Sequence, residues 1–156
     1  MVWPENFLSI VSAVILGGII GLERELSGKA AGLRTNILIC LGAAVFTIIS
    51  KEIAAGAGDT VARIAAQIVT GVGFLGAGAI IQDRGGVHGL TTAAGIWLVA
   101  SIGMACGAGL FNLAVITTLI AVVVLIGLAH VGRSAERHGE KLRAQKPVEK
   151  DNSPIP

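Results

Sequence analysis

The sequence predicts an all-α fold, that of a polytopic membrane protein with five transmembrane helices. Apolar residues make up 53% of the 156 residues and charged residues only 14%, against about 25% charged in an average soluble domain. The mean hydropathy is +0.78. A soluble domain of this size buries only part of its surface, so it could not hide this much apolar area from water.

The same composition excludes two other classes of protein. A disordered chain needs low hydrophobicity and a high net charge, whereas this chain is apolar and carries a net charge of +2. A nucleic-acid-binding surface needs clustered cations, and here Lys and Arg are scattered except in the C-terminal tail. We therefore expect the lipid bilayer, and no nucleic acid, among the partners of this chain.

Five apolar segments would form the helices. They cover residues 7–22, 36–50, 64–81, 90–106 and 110–131. Since a transmembrane helix needs about 20 residues, the first two must extend beyond their apolar runs. Pro4 suits the first turn of a helix, so the first helix would run from there past Glu23, and the second from Leu33 past Lys51.

The distribution of cations predicts the orientation. If the N-terminus lies outside, ten of the twelve Lys and Arg residues face the cytoplasm, and only Lys51 and Arg63 lie outside. The positive-inside rule therefore predicts N-out and C-in. We expect a transmembrane domain over residues 1–132 and a short, partly disordered cytoplasmic tail over residues 133–156.

An internal repeat would relate the first two helices to the next two. An offset of 57 residues, the separation of Gly32 from Gly89, also pairs Thr35 with Thr92 and repeats the pattern Gly-Leu-x-Thr. Both hairpins would point the same way, as in the parallel repeats of some transporters. Chance is the alternative, because 22 residues are glycine.

The glycines of the third segment are the densest in the chain. Their spacing resembles a dinucleotide-binding fingerprint, but that motif needs a βαβ unit and an acidic residue about 20 positions later. Small residues let helices pack closely in a membrane. We expect a central helix packed on both sides through Gly71, Gly73, Gly76 and Gly78. A broken helix whose free backbone groups bind an ion is the alternative.

Charged and polar residues cluster between the first and second helices. They are Glu23, Arg24, Glu25, Arg34, Thr35 and Asn36. Charges at membrane depth usually face the bundle interior or a pathway. If the loop folds back, Glu23 would approach Arg34 and leave Glu25 or Asn36 free to bind a cation or a partner. The alternatives are a solvated loop, and helix capping by Thr35 and Asn36.

Arg63 and Gln67 begin a polar stripe on the third helix. They share one helical face with Gly71 and would line a cavity there. An ion pair between Asp59 and Arg63, four residues apart, is the structural alternative.

The remaining reactive side chains indicate no enzyme, metal site or cofactor. His88, His130 and His138 lack metal-ligand spacing, and there is no catalytic triad or phosphate loop. Cys40 and Cys106 lie in separate apolar runs, where buried free thiols are expected. A disulfide between them is the alternative.

Four motifs resemble those of the MgtC/SapB family of bacterial inner-membrane proteins, over roughly residues 5–131. They are Gly-Leu-Glu-Arg-Glu at 21–25, Ala-Gly-Leu-Arg-Thr at 31–35, the stretch 63–78, and Gly-Leu-Thr-Thr-Ala-Ala at 89–94. The resemblance implies a five-span protein of the cytoplasmic membrane, associated with growth at low magnesium and with survival of pathogens inside phagocytes. The recurrent charged and polar positions of the family fall here on Glu23, Arg24, Glu25, Arg34, Thr35, Asn36, Arg63, Thr91 and Thr92.

The resemblance also implies a partner and a domain that this chain would lack. Some members are linked to restraint of the F-type ATP synthase, which makes that enzyme an expected membrane partner. Many members carry a cytoplasmic ACT-like domain after the fifth span, but only about 25 residues follow Val131 here. We expect a short form that is regulatory and acts through membrane partners. The alternative is a transporter or channel for an ion or small solute, which with five short spans would work as a homo-oligomer.

Overall fold

The computed structural model describes residues 3–53, 60–83 and 86–144, with the side chains at 4–53, 63, 65–83 and 86–127. Residues 1–122 form one compact unit. Residues 123–156 form a second unit, described here up to residue 144. The elements are α1 (Trp3–Leu26), α2 (Leu33–Ile53), α3 (Thr60–Gly78), β1 (Ile81–Asp83), β2 (Gly86–His88), α4 (Leu90–Ala108) and α5 (Phe111–Ala144).

The described residues contain five helices, as predicted, and three of these are long and apolar enough to cross a membrane. These three are Pro4–Leu26, Leu33–Ile53 and Leu90–Ala108. Within the described residues, α3 and α5 have shorter apolar stretches, Ala65–Gly78 and Phe111–Gly127. The predicted extensions past Glu23 and Lys51 are confirmed. The count of five spans and their orientation stay predictions.

A short β-hairpin joins α3 to α4 in a structure that is otherwise mostly helical, as predicted. The third apolar segment was expected to be helical to residue 81, but α3 ends at Gly78 and Ile81 pairs with His88 in an antiparallel ladder. Gly89 then starts α4 with a φ of +86°, a left-handed conformation that glycine adopts without strain. The carbonyl oxygen of Ala79 occupies the place of a Cβ at Gly89, so α4 is closely tied to the end of α3.

The closest helix packing is among α1, α2 and α4, which approach one another through glycines. A Cβ at Gly17 would lie 2.6 Å from that of Cys40, and one at Gly21 would lie 2.8 Å from the Cα of Leu33. On α4, a Cβ at Gly103 would overlap the carbonyl oxygen of Cys40. These glycines let α1 and α4 approach the backbone of α2 from two sides. Cys40 and Cys106 are buried and free.

Within the described residues, helix α3 packs against α2 and α4 along a single stripe. The expectation of a central helix packed on both sides stays a prediction. Ile68, Val72 and Gly76 are buried at spacings of four residues. Phe74 on the far side is 81% exposed. Large apolar side chains are exposed on all five helices, a distribution that suits a lipid environment better than water.

Candidate functional site

Arg24 is a buried cation where α1 ends and α4 begins. Its side chain is 6% exposed. Its Nη2 donates a hydrogen bond to Thr92 Oγ1 at 3.4 Å, and its Nη1 lies 3.8 Å from Glu23 Oε2. Thr92 lies in the first turn of α4 and is itself buried. The guanidinium therefore connects two helices whose sequences are 68 residues apart.

Glu23 is the buried counter-charge, and one of its oxygens lacks a donor. Its Oε1 accepts a hydrogen bond from Ser27 Oγ at 2.7 Å. Its Oε2 is buried and accepts no hydrogen bond from the described residues. The charge of Arg24 stabilises this buried carboxylate oxygen, because removing the oxygen from water without giving it a hydrogen-bond donor costs free energy. The expected approach of Glu23 to Arg34 does not occur.

Glu25 and Asn36 fasten the connection between α1 and α2. Glu25 Oε2 accepts a hydrogen bond from the backbone N–H of Leu33 at 2.8 Å, which satisfies a donor at the start of α2. Asn36 Nδ2 donates to the carbonyl oxygens of Ala31 and Gly32, at 2.7 and 2.8 Å. Both side chains thus have partners in the loop, and a ligand-binding role for either stays a prediction. Asn36 holds the loop rather than capping the helix.

A groove of about 830 Å³ lies between α2 and α3. Arg34 and Thr35 line one end, where α2 begins, and Gln67 is its other polar side chain. The remaining lining is apolar or glycine: Leu38, Ile39, Gly42, Ala43, Phe46, Ile68, Gly71, Val72, Leu75 and Ile96. Arg34 is exposed and forms no ion pair or hydrogen bond with the described residues. The groove is thus an apolar slot with an unpaired cation at one end.

The other predicted site residues do not join these groups. Arg63 and Thr91 are exposed, and Arg63 lies near the opposite end of α3 from Gly78. Its predicted partner Asp59 lies outside the described residues. Gln67 and Gly71 line the groove, whereas Arg63 does not.

The four glycines predicted to pack α3 differ in what surrounds them. A Cβ at Gly76 would lie 3.6 Å from the carbonyl oxygen of Ala93 on α4, an ordinary packing contact. At Gly71, Gly73 and Gly78 an added Cβ would meet no atom within 4 Å. Close packing at these three positions would need a partner from outside the described chain.

A second cavity, of about 630 Å³, involves residues that sequence reasoning missed. Glu5, Lys51 and Glu52 line it. Lys51 Nζ donates to the carbonyl oxygen of Ala108 at 3.4 Å, a contact that compensates an unsatisfied carbonyl at the end of α4. The sequence signal for this contact is the cation just beyond an apolar run.

No group of three His, Cys, Asp or Glu side chains that could hold a metal occurs within the described residues. His88 Nε2 lies 3.5 Å from Asp83 Oδ1 across the hairpin, and both side chains are more than half exposed. This pair is a surface contact between neighbouring strands.

Comparison with known proteins identifies the family. The MgtC family model matches residues 10–134. "Protein MgtC" of Brucella abortus (strain 2308) is 43% identical over 127 residues, which cover 80% of this chain and 52% of that protein. "Putative magnesium transporter YhiD" of Escherichia coli (strain K12) is 45% identical over 130 residues, covering 78% of this chain and 59% of that protein.

A third relative matches the chain to a similar extent. "Protein MgtC" of Salmonella typhimurium (strain 14028s / SGSC 2262) is 48% identical over 113 residues, covering 72% of this chain and 48% of that protein. The chain thus spans about half the length of the curated relatives it matches. No solved structure matches it. The family match covers most of the described helices and all of the predicted site residues, and the chain belongs to the MgtC family.

Proposed function

We propose that this protein is a regulatory protein of the bacterial cytoplasmic membrane that acts through helix–helix contact with a larger membrane protein. It would cross the membrane five times, N-out and C-in, and serve adaptation to low magnesium or intracellular stress. The observation that carries this proposal is a stripe of small, exposed residues on α3. The stripe comprises Ala66, Thr70, Gly73 and Ala77, and we call it the small-residue stripe.

The small-residue stripe has the spacing that close helix packing in membranes requires. Its members follow one another at intervals of four, three and four residues, so they share one helical face. Thr70 Oγ1 donates to the carbonyl oxygen of Ala66 at 3.1 Å, so its hydroxyl is satisfied within α3. Gly73 would admit a neighbouring backbone closely, because nothing lies within 4 Å of an added Cβ. Small residues repeated at this spacing favour association of helices in lipid.

The F-type ATP synthase is our first candidate partner, on the basis of the family resemblance. It is a large assembly with membrane helices of its own. A second copy of this chain is the competing occupant of the same stripe, since a homo-oligomer would also bury small residues.

Photocrosslinking in native membranes tests the proposal. A photoreactive residue in place of Ala77 should capture one specific membrane protein, to be identified by mass spectrometry. Gly73→Leu should reduce the capture about tenfold, because overpacking a close interface costs about 1–3 kcal/mol. Gly127→Leu, at another glycine whose added Cβ meets nothing within 4 Å, is the matched control and should leave the capture unchanged. Capture of nothing specific, or of the chain itself only, contradicts regulation through a larger partner.

Ion transport is the second candidate function. It is favoured by the buried Glu23 carboxylate beside Arg24, since ionisable groups inside a membrane often belong to an ion pathway. The Escherichia coli relative is named "Putative magnesium transporter YhiD", which also favours this second function. Uptake of Mg²⁺ into proteoliposomes would be measured for the wild type, Glu23→Gln and Arg63→Ala. Flux that depends on Glu23 but not on the exposed Arg63 would support transport, and no flux above empty vesicles would refute it.

A further inference from the structure

We propose that the groove between α2 and α3 binds an anionic phospholipid, with one acyl chain along the groove and the phosphate held by Arg34. This inference is independent of the small-residue stripe, which lies on the other flank of α3. It rests on the dimensions of the groove, on the two glycines that create it and on the charge at its end.

The dimensions match one acyl chain. Arg34 and Phe46 line the groove twelve residues apart on α2, a rise of about 18 Å at 1.5 Å per residue. One leaflet contributes about half of a hydrocarbon core some 30 Å thick. The volume of about 830 Å³ also lies within the range of sites that bind small ligands.

Two glycines make the space. Gly42 on α2 and Gly71 on α3 both line the groove, and a Cβ added at either would meet no atom within 4 Å. Since α2 and α3 present no side chain at these positions, a channel stays open between Leu38 and Phe46 on one wall and Leu75 on the other. An apolar chain would cover side chains that are otherwise exposed.

The charge at the end of the groove selects the headgroup. Among the described residues, Arg34 is the one charged residue in the lining, and its guanidinium forms no ion pair with any of them. A guanidinium suits bidentate binding of a phosphate, and the exposed Thr35 hydroxyl beside it is a further donor. A ligand with an anionic head and a long apolar body meets both requirements. In the predicted orientation this end lies at the cytoplasmic leaflet, where anionic lipids provide a negative surface.

Photolabelling of the full chain in phosphatidylcholine vesicles tests the site. The probe is a trace of phosphatidylglycerol with a diazirine at the end of one acyl chain. Labels should map to α2 and α3 around Phe46 and Ile68, which line the end of the groove away from Arg34. Gly71→Leu and Gly42→Leu each place a side chain in the groove at a position where an added Cβ meets no atom within 4 Å, and each should reduce labelling about tenfold. Gly127→Leu should label as the wild type does, and circular dichroism would verify that each variant is folded.

Three further substitutions test recognition of the headgroup and of the acyl chain separately. Arg34→Gln should lose about tenfold of the preference for phosphatidylglycerol over phosphatidylcholine, the size expected for a charge-assisted hydrogen bond, and Arg34→Lys should restore part of it. Gln67→Leu should retain labelling, since an acyl chain needs no amide there. Loss of labelling in Gln67→Leu would instead indicate a polar solute and overturn the proposal.

Other results would also overturn it. These are labelling spread evenly over the helices, labelling unaffected by both glycine substitutions, or equal labelling by the two lipids. Displacement of the probe by millimolar inorganic phosphate would show that the site binds the free anion rather than a lipid. Crosslinks between two copies through this groove would assign it to an oligomer interface.

Discussion

At the scale of single residues, the buried charges of Glu23 and Arg24 act as one unit with Thr92. Arg24 on α1 donates a hydrogen bond to Thr92 on α4, and its positive charge stabilises the carboxylate of Glu23. A buried pair of this kind is weak evidence for stability as a whole, but removing one member leaves an uncompensated charge. The pair therefore fixes how α1 and α4 meet, whichever function it serves.

We predict that Arg24→Met destabilises the protein by about 3 kcal/mol, since it strands the Glu23 carboxylate in the interior. The double substitution of Glu23→Gln with Arg24→Met should recover most of that loss. Unfolding in mixed micelles of increasing SDS content would measure both. Arg34→Met, at an exposed position, is the control and should change stability by less than about 0.5 kcal/mol. Equal effects of Arg24→Met and Arg34→Met would show that burial of the pair is unimportant.

The sequence indicated these residues but paired them wrongly. Glu23, Arg24 and Thr92 all stood out as polar groups at helix ends, yet Glu23 was expected to approach Arg34. The bond from Arg24 to Thr92 depends on α1 packing against α4, and no local pattern encodes a contact between residues 68 positions apart. By contrast, Ser27 lies four residues after Glu23 and could have been found from helical spacing alone.

At the scale of the helices, two glycines of α4 differ in what surrounds them. Gly103 on α4 lies against the backbone of α2, whereas Gly95 on the same helix has nothing within 4 Å of an added Cβ. Periodicity found the helices and their approximate limits. It could not tell which glycines face a neighbour, because that depends on how each helix is rotated in the bundle.

These two glycines make a matched pair for a test. Gly103→Ala should destabilise the protein by about 1–3 kcal/mol, because its methyl group would overlap the carbonyl oxygen of Cys40. Gly95→Ala should be neutral, or stabilising by up to about 1 kcal/mol through helix propensity. The same SDS titration measures both variants. A Gly95→Ala protein as unstable as Gly103→Ala would contradict the packing described for α4.

At the scale of the whole molecule, the charge distribution predicts which end of the helices faces the cytoplasm. Glu23, Arg24, Arg34 and Thr92 lie where α1 ends and where α2 and α4 begin, so the structure places them toward one end of the helices. By the positive-inside rule we propose that this end faces the cytoplasm. Helices α2 and α4 begin 57 residues apart, at Leu33 and Leu90. The internal repeat stays a prediction, because the connection before α2 is a short turn and the connection before α4 contains a hairpin.

Labelling with a membrane-impermeant maleimide tests this topology. Asn112→Cys should react in intact spheroplasts, whereas Lys29→Cys should react only after the membrane is permeabilised. The native Cys40 and Cys106 are buried and should stay unlabelled, so the wild type is the background control. Labelling of Lys29→Cys in intact spheroplasts would reverse the proposed orientation.

The glycines whose added Cβ would meet no neighbour have a consequence for sequence variation as well as for packing. At Gly17, Gly21 and Gly103 the chain itself forbids a larger residue, so natural variation there would be removed by loss of folding. At Gly71 and Gly73 no neighbour within the described chain imposes glycine. If related sequences nevertheless keep glycine at these two positions, selection must act through molecules that the protein binds in its membrane. Gly71 lines the groove and Gly73 lies in the small-residue stripe, so a different molecule would maintain each glycine.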